Sequence, residues 1–219
     1  MKSIEFWQQK WKKQEIGFHQ TETNRYLLKF QGLFSDPLNK TVFVPLCGKS
    51  QDMIWLKQQK LRVKGIECSE SAVRNFFEEN GLQPNSLNDT PMPTWHANNI
   101  ELTIGDFFQL DYNYFKDIDL VYDRAALIAL NKTEREQYVN KLLHSLPKGA
   151  DIFLITLTYP EHEMQGPPFS LSAEEICRLY SERYLCKIIA QQSILHKEPH
   201  FIDKGLSEVI ETVYYLTEY

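Results

Sequence analysis

The stretch from Thr41 to Glu67 constrains this chain more than any other. A β-branched and aromatic run, Thr41-Val42-Phe43-Val44, stops at Pro45, and Gly48 supplies the flexible point of the turn that follows. Ser50 stands where a helix N-cap belongs, because its hydroxyl can accept a hydrogen bond from an unpaired N–H of the first turn. Met53, Ile54 and Leu56 give the segment Gln51 to Gln59 an apolar stripe. A second apolar run, Leu61 to Ile66, then meets the acidic residue Glu67. The pattern is a β-α-β unit with a carboxylate at the tip of its second strand, so the chain is committed to an α/β sheet.

The turn after the first strand of such a unit lets a ligand approach the backbone, and a carboxylate on the second strand can accept hydrogen bonds from ribose hydroxyls. Glu67 follows Gly48 at the spacing of about 20 residues expected between a nucleotide-binding turn and its acidic partner. The glycines do not suit a dinucleotide. Pro45-Leu46-Cys47-Gly48-Lys49 holds one glycine, where pyrophosphate fingerprints hold three. That disfavours a nicotinamide-dependent oxidoreductase and points to a nucleoside without phosphates, with S-adenosylmethionine the candidate. The bland alternative is a solvated glutamate that merely ends a strand.

At 219 residues the chain reads as one domain, able to bury about 70% of its unfolded surface. Its net charge of −5 argues against a nucleic-acid partner. No apolar run is long enough to span a bilayer and no signal-peptide core is visible, so a cytoplasmic protein is expected. Cys47, Cys68, Cys177 and Cys186 show no zinc spacing and read as free thiols. Cys47 and Cys68, each following a strand, are candidate neighbours. Nothing demands more than a monomer.

The rest of the chain extends the alternation. Ser3 is a candidate cap for an N-terminal helix carrying Phe6, Trp7 and Trp11, and a second helix is expected from Thr23 to about Gly32. This arm either pins an extra helix to the core or closes over a ligand, whose cation would gain from an aromatic face. Ser69 caps a helix through Phe76 and Phe77 that ends at Asn80-Gly81. Pro84 to Pro93 reads as an exposed connection. Ile100 to Ile104 is a strand ending at Gly105-Asp106-Phe107, where Asp106 could meet an adenine amino group or cap the next turn. Ile118 to Tyr122 is the next strand, followed by Asp123-Arg124-Ala125-Ala126. A capping box of Thr133 with Glu136 opens a helix to about Ser145. Asp151 to Thr158, apolar on both faces, should be a central strand. Gly166-Pro167-Pro168-Phe169 is a stiff loop, and Ser172 with Glu175 starts another helix. Tyr184 to Leu195 and Leu206 to Leu216, joined without a helical pattern, should pair as an antiparallel hairpin. The predicted fold is therefore α/β, Rossmann-like, of the S-adenosylmethionine-dependent methyltransferase type. It comprises a mostly parallel seven-stranded sheet, a C-terminal antiparallel hairpin and an N-terminal helical arm, with the arm over 1–36 and the core over 41–219.

In full, the sequence resembles the thiopurine S-methyltransferase family in its bacterial form. The matching residues are Phe6-Trp7 with Trp11, Gly17-Phe18-His19-Gln20, Val44-Pro45-Leu46-Cys47-Gly48-Lys49, Gly65-Ile66-Glu67, Tyr122-Asp123-Arg124-Ala125-Ala126-Leu127 and Gly166-Pro167-Pro168-Phe169. The resemblance implies that Trp11, Leu46, Glu67 and Arg124 contact S-adenosylmethionine and that Asp106 and Phe107 flank its adenine. It implies that Phe18 helps cover cofactor and acceptor, and that Arg124 meets a small-molecule thiol acceptor. A further family arginine is aligned here with His200, which is only partly protonated near neutrality. The expected reaction is in-line methyl transfer to an aromatic or heterocyclic thiol, leaving S-adenosylhomocysteine, with no dedicated base and no metal. His19 is a weaker candidate base. Methyl transfer to selenium, tellurium or halide acceptors, and a cofactor-binding protein without turnover, are the rivals.

Overall fold

Nine strands and eight α-helices form among the described residues, which are 4–16, 19–35, 40–87 and 90–219 of this computed structural model. The chain divides into two units, Met1–Leu120 and Val121–Tyr219. In the first, α1 (Ile4–Lys12) and α2 (Arg25–Lys29) precede β1 (Thr41–Val44), α3 (Asp52–Gln58), β2 (Arg62–Glu67) and α4 (Glu70–Glu79). Then come β3 (Asn85–Leu87), β4 (Thr94–Ala97), β5 (Ile100–Ile104) and α5 (Tyr112–Phe115). The strand order is β3-β4-β5-β2-β1. β1, β2 and β5 run parallel, whereas β3 and β4 add antiparallel pairings at the edge.

The edge strand β3 corrects the expected open connection at 84–93, and β4, for which no strand was expected, follows it. β3 is largely exposed, so it lacks the alternating apolar pattern by which a strand announces itself. What fastens β4 is lateral: Thr94 and Thr103 hydroxyls bond across the strands at 3.1 Å, and Trp95 lies 6.1 Å from Phe77 and under the Arg74 guanidinium. The second N-terminal helix is also shorter than expected. Asn24, whose side chain accepts the Tyr26 N–H, caps α2, and a 3-10 turn over Gln31–Leu33 finishes the segment. Its anchor is the fully buried Asp52 at the start of α3, which accepts the Asn24 N–H at 2.7 Å. Ser50 acts one position earlier than a true cap, accepting from the Asp52 N–H at 3.3 Å, while Gln51 takes the cap position. Ser69 caps α4 as expected. The proposed Ser3 cap lies outside the described residues.

The second unit holds β6 (Leu120–Arg124), α6 (Lys132–Ser145), β7 (Asp151–Thr158), α7 (Ala173–Tyr180), β8 (Tyr184–Ser193), α8 (Pro199–Asp203) and β9 (Ile210–Glu218). Its strand order is β6-β7-β9-β8. β7 is buried along six of its eight residues and has a strand on each side, as its continuous apolar pattern requires. β9 pairs antiparallel with both β7 and β8. The terminal pairing therefore forms, but the short helix α8 intervenes where no helix was expected. β6 begins and ends two residues later than the expected strand, which makes Arg124 its last residue. The box that opens α6 is Asn131 with Glu134, each accepting the other's backbone N–H. Thr133 with Glu136 matches the same spacing two residues later, and asparagine, an equally good cap, wins by coming first. Of the six pairings described, four are antiparallel. The strands are thus mixed and nine in number, where seven mostly parallel strands were expected.

Candidate functional site

The β1 tip and the β2 tip are stitched together. The Cys47 N–H donates to the Ile66 carbonyl at 3.0 Å, continuing the parallel ladder past the end of β1. Room for this comes from Gly65, where a Cβ would stand 2.8 Å from the Cys47 sulfur and 2.7 Å from Leu102. Two residues of the turn occupy left-handed backbone: Gly48 at φ +53° and Leu46 at φ +45°. Glycine does so freely, but leucine does so only where surrounding contacts hold it, a form of strain that gathers at functional sites.

Glu67 fastens this turn at Gly48. Its carboxylate is 5% exposed and accepts the Gly48 N–H on Oε2 at 2.9 Å and the Ser69 N–H on Oε1 at 2.9 Å. The Cys68 thiol donates to Oε1 at 3.3 Å. Burial raises the Glu67 carboxyl above the ordinary carboxylate range, and the bonds from Ser69, Cys68 and Gly48 pull the other way. Oε1 accepts two of these bonds and Oε2 one, so Oε2 is the oxygen at which a further hydroxyl donor would fit. Burial, reinforced by the Glu67 charge, drives both neighbouring thiols, Cys47 and Cys68, well above their ordinary range. Both stay protonated at neutral pH and are poor nucleophiles.

The N-terminal helix lies on this turn. Trp11 is 4% exposed, and its ring is so close to Gly48 that a Cβ there would come within 3.0 Å of it. From the same helix, Gln8 donates to the Cys68 carbonyl at 3.2 Å. Sequence pattern found Trp11, Gly48 and Glu67 as separate features, and the structure brings them together, with Leu46, which the resemblance implied, in the same turn. Gln8 was missed, since a glutamine beside a tryptophan on a helix carries no signal of its own.

Asp106 and Phe107 follow β5, which pairs with β2. Asp106 is half-buried and accepts the Phe108 N–H at 2.9 Å, so it caps the 3-10 turn Phe107–Gln109. Phe107 is 2% exposed and packs against Phe43, Phe108 and Phe115. Phe18 lies outside the described residues. In the second unit, Arg124 is half-buried at the end of β6, and the next residue, Ala125, stands at φ +73°. His200 is exposed, 3.5 Å from Glu198 and against the Phe201 ring. Two cavities of the first unit, of about 230 Å³ and 260 Å³, are lined by other residues: one by Arg62, Lys64 and His96 among others, one by Arg74, Phe77 and Trp95 among others.

This is the fold of the S-adenosylmethionine-dependent methyltransferases. A solved methyltransferase of that class from Anabaena variabilis superposes with a TM-score of 0.66 at 19% identity, over 99% of this chain and 95% of its own. Haemonchus contortus phosphoethanolamine N-methyltransferase 2, solved with S-adenosylhomocysteine, gives 0.61 at 10% identity, over 88% of this chain and 52% of its own. Sequence narrows the class further. The family model described as thiopurine S-methyltransferase (TPMT) matches residues 2–219. Proteins named thiopurine S-methyltransferase are 43% identical in Nitrosospira multiformis, over 97% of this chain and 96% of that one, and 40% identical in Bordetella parapertussis, over 97% of each. The chain belongs to the thiopurine S-methyltransferase family, and its cofactor is S-adenosylmethionine. The residues present fit that cofactor: a buried carboxylate at the strand tip suits ribose hydroxyls, and a single-glycine turn avoids a diphosphate cradle.

Proposed function

We propose that this chain methylates the sulfur of aromatic or heterocyclic thiols of the thiopurine type. The observation that carries the reading is the buried Glu67 carboxylate at the β2 tip, bonded to the Gly48 N–H and covered by the helix that bears Trp11. On this reading Glu67 receives the ribose hydroxyls of the cofactor, while Trp11, Leu46, Asp106, Phe107 and Arg124 complete its binding. Phe107, packed in the core, acts through a ring edge or by supporting Phe108. Arg124 also meets the acceptor, together with Phe18. The four free cysteines suit a reducing cytoplasm.

S-adenosylmethionine supplies, when bound, an electrophilic methyl group on a sulfonium. The chain's own residues align and dry the reactants. Alignment in a near-attack pose can contribute about 7–11 kcal/mol, and charge neutralisation between thiolate and sulfonium is favoured where water is excluded. Arg124, permanently cationic, favours the ionised form of the acceptor thiol. With acidic aromatic thiols no protein base is required. Cys47 and Cys68, held protonated, do not compete with the acceptor for the methyl group.

A mass-spectrometric methyl-transfer assay over thiophenol, thiopurines, selenols and halides tests the activity, with transfer to the aromatic thiols expected. Isothermal titration tests the site: Glu67→Ala should weaken S-adenosylmethionine binding by about 10-fold or more, since hydrogen bonds to a charged group are worth about 1.5–3 kcal/mol. Unchanged affinity in that variant would remove Glu67 from the cofactor site.

A further inference from the structure

Between β6 and α6 the chain makes a turn that an alanine should resist. Ala125 stands at φ +73°, a region that side chains other than glycine enter at a steric cost, and it directly follows Arg124. Both ends of this turn are fastened from inside the second unit. Upstream, the Asp123 carboxyl is fully buried; Oδ1 accepts the Leu127 N–H at 3.2 Å, and Oδ2 accepts the Tyr138 hydroxyl at 2.7 Å. Downstream, the Ile128 carbonyl accepts the Phe169 N–H at 2.7 Å. Tyr138 is itself fully buried on α6.

We propose that Asp123 and Tyr138 form a positioning pair: the Tyr138 hydroxyl orients the Asp123 carboxyl, which clamps the strained Arg124-Ala125-Ala126 turn and so sets the direction of the Arg124 side chain toward the acceptor. The proposal rests on the reading that Arg124 meets the acceptor. A free carboxyl at the end of a strand could rotate between several backbone donors. The Tyr138 bond takes one oxygen and leaves the other aimed at Leu127, on the far side of the alanine. Removing the hydroxyl keeps the ring and its packing but frees that rotation. The turn can then relax toward ordinary backbone, carrying the guanidinium with it.

The test is a double-mutant cycle of Tyr138→Phe and Arg124→Ala on full-length protein, with thiophenol as the acceptor and kcat/KM as the readout. Alone, Tyr138→Phe should lower kcat/KM by about 10-fold, within the range that misplacement of a reacting group produces. Its S-adenosylmethionine affinity should fall no further than that of Arg124→Ala, because the pair reaches the cofactor only through Arg124. In the Arg124→Ala background the same change should leave the residual rate unaltered, because the residue it positions is gone. Asp123→Asn, which retains one acceptor oxygen, should follow the same cycle and guards against a folding defect peculiar to one variant. A purely structural pair would lower melting temperature equally in both backgrounds and leave the cycle multiplicative. A multiplicative cycle, or an unimpaired Tyr138→Phe enzyme, therefore overturns the proposal. If Arg124→Ala alone leaves the acceptor rate intact, the reading beneath it fails as well, and that result is distinguishable from the others.

Discussion

Asp123→Asn should change how stability depends on pH, with a sign that reports the partner of this buried acid. Burial raises the Asp123 carboxyl from 3.8 to about 6, against the opposing bonds from Tyr138 and from the Leu127 and Ala126 amides. A group whose folded pKa is raised stabilises the fold most below its unfolded value, and that contribution is lost as pH rises through the folded value. The full swing over this window is about 3 kcal/mol, at 1.36 kcal/mol per pH unit of displacement. About half of it falls between pH 5 and 7.5, so the parent should lose about 1.4 kcal/mol relative to Asp123→Asn over that range. Urea unfolding of both proteins at several pH values, taken as a difference, cancels every other titrating group. A flat difference would refute the buried, neutral-partnered acid. A difference of opposite slope would show a depressed pKa, the signature of an ion pair between Asp123 and a cation such as Arg124.

Two further substitutions test how the structure is held. Gly48→Ala places a Cβ 3.0 Å from the Trp11 ring at φ +53°; it should cost about 1–2 kcal/mol for the left-handed backbone alone and weaken cofactor binding by displacing the indole, read by thermal unfolding and titration. Arg183 donates to the carbonyls of Leu143, Leu146 and Pro147 and to Glu218, gathering the end of α6 onto the β8–β9 pair. Arg183→Ala should destabilise by about 2–4 kcal/mol, because it leaves half-buried carbonyls unpaired, with a lowered urea midpoint as the measurement.

What could be read from sequence was what is local. The turn after β1, the acid at the β2 tip and the apolar β7 strand each announce themselves within a few residues, through glycine, charge and hydrophobic run. Trp11 was visible as a large aromatic on a helix face, but its seat on Gly48 depends on a contact across 37 positions of chain. β3 escaped because an edge strand buries too little to need an apolar alternation, and β4 because its four residues, Thr94-Trp95-His96-Ala97, are short and mostly polar or small. The start of α6 was misplaced because two overlapping pairs, Asn131 with Glu134 and Thr133 with Glu136, satisfy one rule. Asp123 was recognised as polar residue at a strand end, yet its partner Tyr138 lies on the following helix, where a buried tyrosine looks like any core aromatic. Arg183 gave no warning at all: three of the groups it binds are backbone carbonyls, which sequence does not write.

A shared device emerges at the two strand tips where ligand residues are expected. Each tip has a non-glycine residue in left-handed backbone, Leu46 or Ala125, and each has a buried carboxyl that accepts a turn amide and is displaced upward by burial. At Asp123 both oxygens are taken by donors of the second unit, and no ligand is expected on that carboxyl. Glu67 differs in being the carboxyl proposed to receive the ribose, and the cofactor should report that binding as protons. A ribose hydroxyl donated to Glu67 stabilises its ionised form, so binding lowers a pKa that the free protein holds above 4.5. Cofactor affinity should then rise with pH through the raised Glu67 pKa, and binding in that window should release protons. Titration in two buffers of different ionisation enthalpy counts them. Glu67→Gln, which keeps the shape of the side chain but cannot ionise, should abolish the release. Release that persists in Glu67→Gln, or proton uptake by the parent, would mean that the carboxylate serves the turn alone and the ribose is held elsewhere.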